Sequence, residues 1–228
     1  MAFILSEVTA ADLETAKSIF SLTDGGFASP LHRLAWLIPS SLPENEQLEL
    51  LRRRAEWSLQ CQIDIFHHDG SARFMKAVDS QAGEMVCIAR YQFFENGYQD
   101  PPNCPSLPIC GLRDPCDPST WPHGLNKDMY LDVVGKLYPQ RRSWMGEGRY
   151  WVLTTIVTRE PWRGKGAAKQ MLEWGLAQGG KDGVPVLLEA APGMRTLYER
   201  YGWRVVGEFK TRSEDGRDVV VERMRANP

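Results

Sequence analysis

The sequence lacks an excess of charge of either sign, with 27 Lys and Arg against 29 Asp and Glu and a formal net charge of −2. At a sequence pI near 6.1 no global field draws in phosphate backbones or anionic lipid, so neither nucleic acid nor membrane is expected as a partner. Long apolar runs are missing as well. None approaches the ~20 residues that span a bilayer, and the opening Met1-Ala2-Phe3-Ile4-Leu5-Ser6-Glu7 has neither the basic nor the long apolar stretch of a secretion signal. An intracellular, cytoplasmic location is therefore expected, with the nucleus left open.

Cysteine is scarce: Cys61, Cys87, Cys104, Cys110 and Cys116 are five in 228 residues, an odd number that does not suggest a disulfide framework. Cys104, Cys110 and Cys116 with His123 lack the C-x2-C pairing of a structural zinc site, so no metal is expected. His67-His68, before Asp69-Gly70, reads as a solvated loop pair. Two nucleotide signatures are also missing. There is no G-x4-G-K-[ST], and no G-x-G-x-x-G follows the first strand, which sets ATP and NAD aside.

What is present is ordinary globular material, 43% hydrophobic and 25% charged, enough for one sizeable core and a single domain over residues 1–228. Phe3–Val8 reads as a strand. Thr9 to Asp12 has the form of a capping box, and a helix through about Leu22 is expected after it, with Leu13, Ala16 and Phe20 inward. A second helix opens at Pro43 and carries Leu48, Leu51, Ala55 and Leu59 on one face. Arg52-Arg53-Arg54 within it reads as a solvated face. Arg73–Val78 and Glu84–Phe94 are joined by a turn-rich connection and read as an antiparallel pair. Residues 95–148 form an insertion, Pro-rich up to about 125, with a helix from about Asn126 to Tyr138. Arg149–Thr158 is the strongest candidate for a central buried strand.

The chemistry concentrates where that strand ends. Arg159-Glu160-Pro161-Trp162-Arg163-Gly164-Lys165-Gly166-Ala167-Ala168 leads into a helix with Ala168, Met171, Leu172, Gly175 and Leu176 on one face. Strand, glycine loop and helix together make an anion site: glycines allow a tight turn and close approach, successive amides point inward, and the helix N-terminus adds partial positive charge. A pyrophosphate fits such a site. The plain alternative is a helix that uses its glycines only for a tight start.

Arg163-x-x-Gly166-x-Ala168 has the form [Q/R]-x-x-G-x-[G/A], and at this point the sequence resembles the GNAT superfamily of acetyl-CoA-dependent N-acetyltransferases. A second likeness lies downstream, in Val184–Ala190 as a strand, a short helix with Met194, Leu197, Tyr198 and Tyr201, and Gly202–Phe209, where Leu-Tyr-Glu-Arg-Tyr-Gly-Trp resembles the family's closing phrase. Phe74–Asp79 and Arg149–Leu153 are similar to a broad group of uncharacterised fungal GNAT proteins.

The resemblance implies an α/β (α+β) GNAT fold, a mixed twisted sheet of about six to seven strands flanked by helices, with a coenzyme-binding core over about 149–210. It implies acetyl-CoA or coenzyme A as co-substrate, held by Arg163, Gly164, Lys165, Gly166, Ala167 and Ala168. The backbone of Ile156, Val157 and Thr158 is implied to face the pantetheine arm where the central strand splays from the next. Tyr198 matches the tyrosine that donates to the coenzyme sulfur, its plain alternative being core packing. Arg163 and Lys165 could equally be solvated charges. No carboxylate lies on Trp151–Thr158, so Glu189 is the nearest candidate base. The expected acceptor is a small primary amine, walled by Trp121, Tyr130 and Trp144, with protein or peptide N-acetylation and a non-catalytic CoA-binding protein as alternatives. Monomer and homodimer remain open.

Overall fold

The computed structural model describes residues 2–13, 41–98, 140–141, 143–212 and 218–228. The expected helix to Leu22, the helix at 126–138, most of the Pro-rich insertion, and Cys104, Cys110, Cys116, His123, Trp121 and Tyr130 lie outside them.

Among the described residues the chain forms strand β1 (Phe3–Glu7), helix α1 (Glu44–His68), strands β2 (Ala72–Asp79), β3 (Met85–Phe94) and β4 (Tyr150–Thr158), helix α2 (Ala167–Asp182), strand β5 (Val186–Ala190), the short helix α3 (Arg195–Glu199), and strands β6 (Arg204–Arg212) and β7 (Asp218–Ala226). They build a seven-stranded sheet in the order β1-β2-β3-β4-β5-β7-β6. Only β4 and β5 pair in parallel, Trp151–Leu153 against Val186–Leu188. A parallel pair needs a crossover, and α2 supplies it. The expected mixed sheet flanked by helices is thus the observed architecture.

The two sheet faces are covered separately. On one, α2 lays Ala167, Met171 and Leu172 against Met75, Ala77, Ala89, Tyr91, Leu153 and Leu188. Gly175 lets it come close, since a Cβ there would stand 2.4 Å from the Tyr91 ring and hydroxyl. The Tyr91 hydroxyl donates to the Met171 carbonyl at 3.1 Å. On the other face α1 seals Ile65 against Phe74, Ile88 and Val157, while Met145, Tyr150, Val152 and Leu187 form a separate cluster nearby. At the first strand's exit, Thr9 and Lys76 both hydrogen-bond the Asp12 carboxylate. No helix among the described residues is long and apolar enough to cross a membrane.

One expectation changes. His67 and His68 close the last turn of α1 instead of standing in a loop, although both are exposed as expected. The helix from Pro43 runs on to His68 because Gln62 and Ile65 continue its buried face beyond Leu59. Strand β7 was not anticipated, yet Val219-Val220-Val221 carries the β-branched run that marks it. Arg52 and Arg53 do form a solvated face, ion-paired to Glu49, and Arg52 also to Glu56.

Candidate active site

The site begins with an irregularity in β4. Arg90 of β3 opposes Thr155 and Tyr91 opposes Leu153, so Thr154 is an extra residue, a β-bulge. Its hydroxyl donates to the Arg90 carbonyl at 3.0 Å and accepts from Arg90 Nε at 2.6 Å. Arg90 Nη1 in turn reaches Gln62 Oε1 on α1 at 2.8 Å. Beyond the bulge β4 no longer pairs with β5, whereas β5 continues to Ala190 against β7. The strands therefore split, leaving the β5-facing edge of residues 154–158 without a strand partner. Ile156 packs toward the α2 side and Val157 toward α1. The expected splay at Ile156, Val157 and Thr158 is present in the backbone pairing.

At the end of β4 the chain makes a single 3-10 turn, Glu160–Trp162, and enters the glycine loop. Gly164 and Gly166 take φ of +74° and +98°, left-handed values at which glycine carries no Cβ penalty. Built Cβ atoms at both would meet nothing within 4 Å, so this is open surface. Gly166 caps α2, and the first-turn amides of Ala167, Ala168 and Lys169 have no acceptor within the helix. Ala167 is buried, which anchors this ring of donors on the core. Arg163 Nε donates to the Thr158 carbonyl at 3.3 Å, tying loop to strand. Lys165 Nζ lies 4.9 Å from the centre of the Trp162 ring, a cation–π contact on an exposed side chain.

Tyr198 sits on α3, 7% exposed and edge-on to Trp203. No described residue takes a hydrogen bond from its hydroxyl, and that oxygen is not among the atoms sealed from solvent. Burial pushes the phenol up to about 12. It stays protonated throughout the physiological range. Cys87, under the end of β4, is pushed up to about 11 by burial, partly offset by the Thr158 hydroxyl that donates to its sulfur at 3.2 Å.

Glu189 projects from β5 on the opposite face, the side of Leu187 and Tyr150. Its Oε2 accepts from both Nε (2.9 Å) and Nη2 of Arg141. Its Oε1 makes no hydrogen bond, and Arg223 Nε of β7 stands 3.9 Å away. Arg223, 5% exposed, faces the ring of Trp144 at 5.6 Å. Neither Arg141 nor Arg223 was singled out from sequence. Arg223 lies on the unanticipated strand, and its register opposite Glu189 is what brings the two charges together. A surface hollow of about 470 Å³ lies apart from the glycine loop, between α3 and β6, lined by Arg195, Glu199, Gly202, Trp203, Arg204 and Val205.

No family model matches the chain, and neither does any curated protein. Among solved structures it superposes on one described as histone acetyltransferase HPA2 and related acetyltransferase from Corynebacterium glutamicum, at 22% identity and TM-score 0.58, covering 100% of this chain and 97% of that one. It superposes on arylalkylamine N-acetyltransferase 2 from Aedes aegypti at 13% identity and TM-score 0.61, covering 100% and 99%. A GCN5-related N-acetyltransferase from Kribbella flavida gives 12% identity and TM-score 0.50, covering 100% and 98%. No sequence match supports the finer likeness to fungal proteins. Identities this low speak for architecture alone, and what they establish is that this chain carries the GNAT acetyltransferase fold.

Proposed function

We propose that the chain is an acyl-CoA-dependent N-acetyltransferase that moves an acetyl group from acetyl-CoA to a primary amine of a small molecule. The observation that carries the reading is the open glycine loop at Gly164 and Gly166, set at the end of a strand whose outer edge has lost its neighbour. In this reading the amides of Gly164, Gly166, Ala167 and Ala168 hold the pyrophosphate, with Arg163 and Lys165 adding charge from outside. The free backbone edge of Ile156, Val157 and Thr158 receives the pantetheine arm. Acetyl-CoA, when bound, supplies the activated acyl group.

The remaining work falls to side chains. A primary amine with a pKa of about 10.4 is ~0.1% neutral at pH 7.4, so its proton must be taken up. Glu189 Oε1, which has no hydrogen-bond donor of its own, is the proposed acceptor. Tyr198 serves the leaving sulfur. A phenol near 12 does not yield its proton outright to a thiolate of pKa ~8.5, so its part is a hydrogen bond that strengthens as negative charge develops on sulfur.

Following release of free CoA thiol from acetyl-CoA over a panel of amines and peptides tests the reading. Turnover with small amines is expected. Preference for peptides over every small amine would move the assignment to protein N-acetylation, and CoA binding with no turnover would make the chain a CoA-binding protein without catalysis.

A further inference from the structure

On the sheet face opposite α2, polar atoms accumulate that nothing in the fold satisfies. Arg223 Nε and Nη2, Trp144 Nε1 and the Tyr150 hydroxyl are buried donors without a hydrogen-bond partner among the described residues. Glu189 Oε1 is the unmatched acceptor beside them. Buried polar groups are normally paired, and each exception calls for a reason. Here donors outnumber acceptors. Arg141 and Arg223 both face the carboxylate of Glu189.

The group short of hydrogen bonds is Arg223. Arg141 already directs its fork at Glu189, whereas Arg223 approaches the same carboxylate at 3.9 Å, beyond hydrogen-bonding distance. Its stem lies across from Gly207 on β6, where a Cβ would make only an ordinary 3.9 Å contact with Arg223 Cδ. Its guanidinium carbon stands 5.6 Å from the centre of the Trp144 ring, a cation–π contact. A planar fork with free N–H groups matches a carboxylate. Glu189 Oε1, beside it, matches an ammonium. Solvent reaches the cluster at Arg141, whose side chain is 24% exposed.

We infer that Arg223 and Glu189 together form the acceptor subsite, Arg223 taking a carboxylate and Glu189 Oε1 the neighbouring ammonium, so that the acceptor is a free α-amino acid. This inference rests on the acetyl-transfer reading for its catalytic meaning, and its binding chemistry stands by itself. The two charged ends of an amino acid would satisfy both the surplus donors and the lone acceptor. A plain alkylamine would leave the Arg223 donors unmatched, and a peptide N-terminus would present an amide where the carboxylate belongs.

The test is equilibrium titration of the whole protein, with and without CoA, using the common α-amino acids, their carboxamides and the corresponding decarboxylated amines. At least one amino acid is expected to bind, with its carboxamide and its amine each weaker by about tenfold or more, the scale of a lost charge-assisted hydrogen bond. Arg223→Gln should remove that preference, and Arg223→Lys, which keeps the charge and loses the fork, should restore it only in part. Urea unfolding of both variants confirms that they are folded. Equal affinity for acid and carboxamide, an unaltered preference in Arg223→Gln, or no amino acid binding at millimolar concentration would each overturn the inference. CoA is titrated separately. Amino acid binding that depends on Arg223, in a protein that does not bind CoA, would sustain the subsite and reject the acetyl-transfer reading.

Discussion

The two faces of the sheet follow opposite rules, and β5 shows both within five residues. Val186, Leu188 and Ala190 point into the apolar cluster under α2, where the Tyr91 hydroxyl has its acceptor in Met171 and Trp203 Nε1 is the buried side-chain atom left without one. Leu187 and Glu189 point the other way, toward Tyr150, Trp144, Arg141 and Arg223, where several buried donors have no partner. Each such group costs about 1–3 kcal/mol. The α2 face supports the glycine loop and Tyr198, whereas the opposite face holds the unpaired polar groups from which the acceptor subsite is inferred.

The comparison is broken most severely at Glu189. Glu189→Ala removes the acceptor of Arg141 and the carboxylate nearest to Arg223 and is expected to reduce stability by about 3 kcal/mol in urea unfolding. Adding Arg223→Met to the same chain should recover part of the loss, because the buried Arg223 charge goes with it. A loss below about 1 kcal/mol in the single variant would mean that the cluster is already well hydrated. Tyr198→Phe probes the other face. It should lower kcat by about 100-fold while leaving CoA affinity unchanged, since the hydrogen bond gains strength only as sulfur becomes anionic. An unaltered kcat would return Tyr198 to core packing.

Close packing on the α2 face gives a paired test. Gly175→Ala should destabilise by about 1–3 kcal/mol through collision with Tyr91. Gly180→Ala, where the new Cβ would meet only Pro228 at 3.8 Å, should stabilise by up to about 1 kcal/mol through helix propensity. Equal effects at the two sites would contradict the packing described. The smallest expected effect depends on pH. Burial raises the Cys87 thiol from 9.0 to about 11, so above about pH 9 the unfolded chain has lost a proton that the folded chain keeps, and stability falls with rising pH. Below that range the contribution is complete. Cys87→Ala should flatten the decline in melting temperature between about pH 9 and 11.

Much of this molecule was legible because its signals are local. The alternating hairpin Arg73–Phe94, the apolar run Trp151–Leu153 and the Arg163–Ala168 loop each declare their geometry within a few residues. The splay of β4 was implied only by resemblance. Its physical cause, the bulge at Thr154, depends on a cross-strand partner, Arg90, that lies 64 positions away. Arg223 and Arg141 were invisible for the same reason. An isolated arginine in sequence is a surface residue by default, and only the pairing of β5 with β7 places Arg223 next to Glu189. His67-His68 reads as a turn beside Asp69-Gly70, but the buried face of α1 carries the helix through both.

Acetyl transfer by this chain requires the glycine loop to hold the coenzyme, and calorimetric titration of CoA into the wild-type protein, Gly166→Val and Lys165→Ala tests this most directly. At φ +98° a β-branched residue is strained and would place side-chain atoms over the amides. Saturable binding to wild type, weakened by about tenfold or more in Gly166→Val and only a few-fold in Lys165→Ala, is the predicted result. Absence of CoA binding to the wild-type protein at millimolar ligand, or a larger loss from Lys165→Ala than from Gly166→Val, would contradict it.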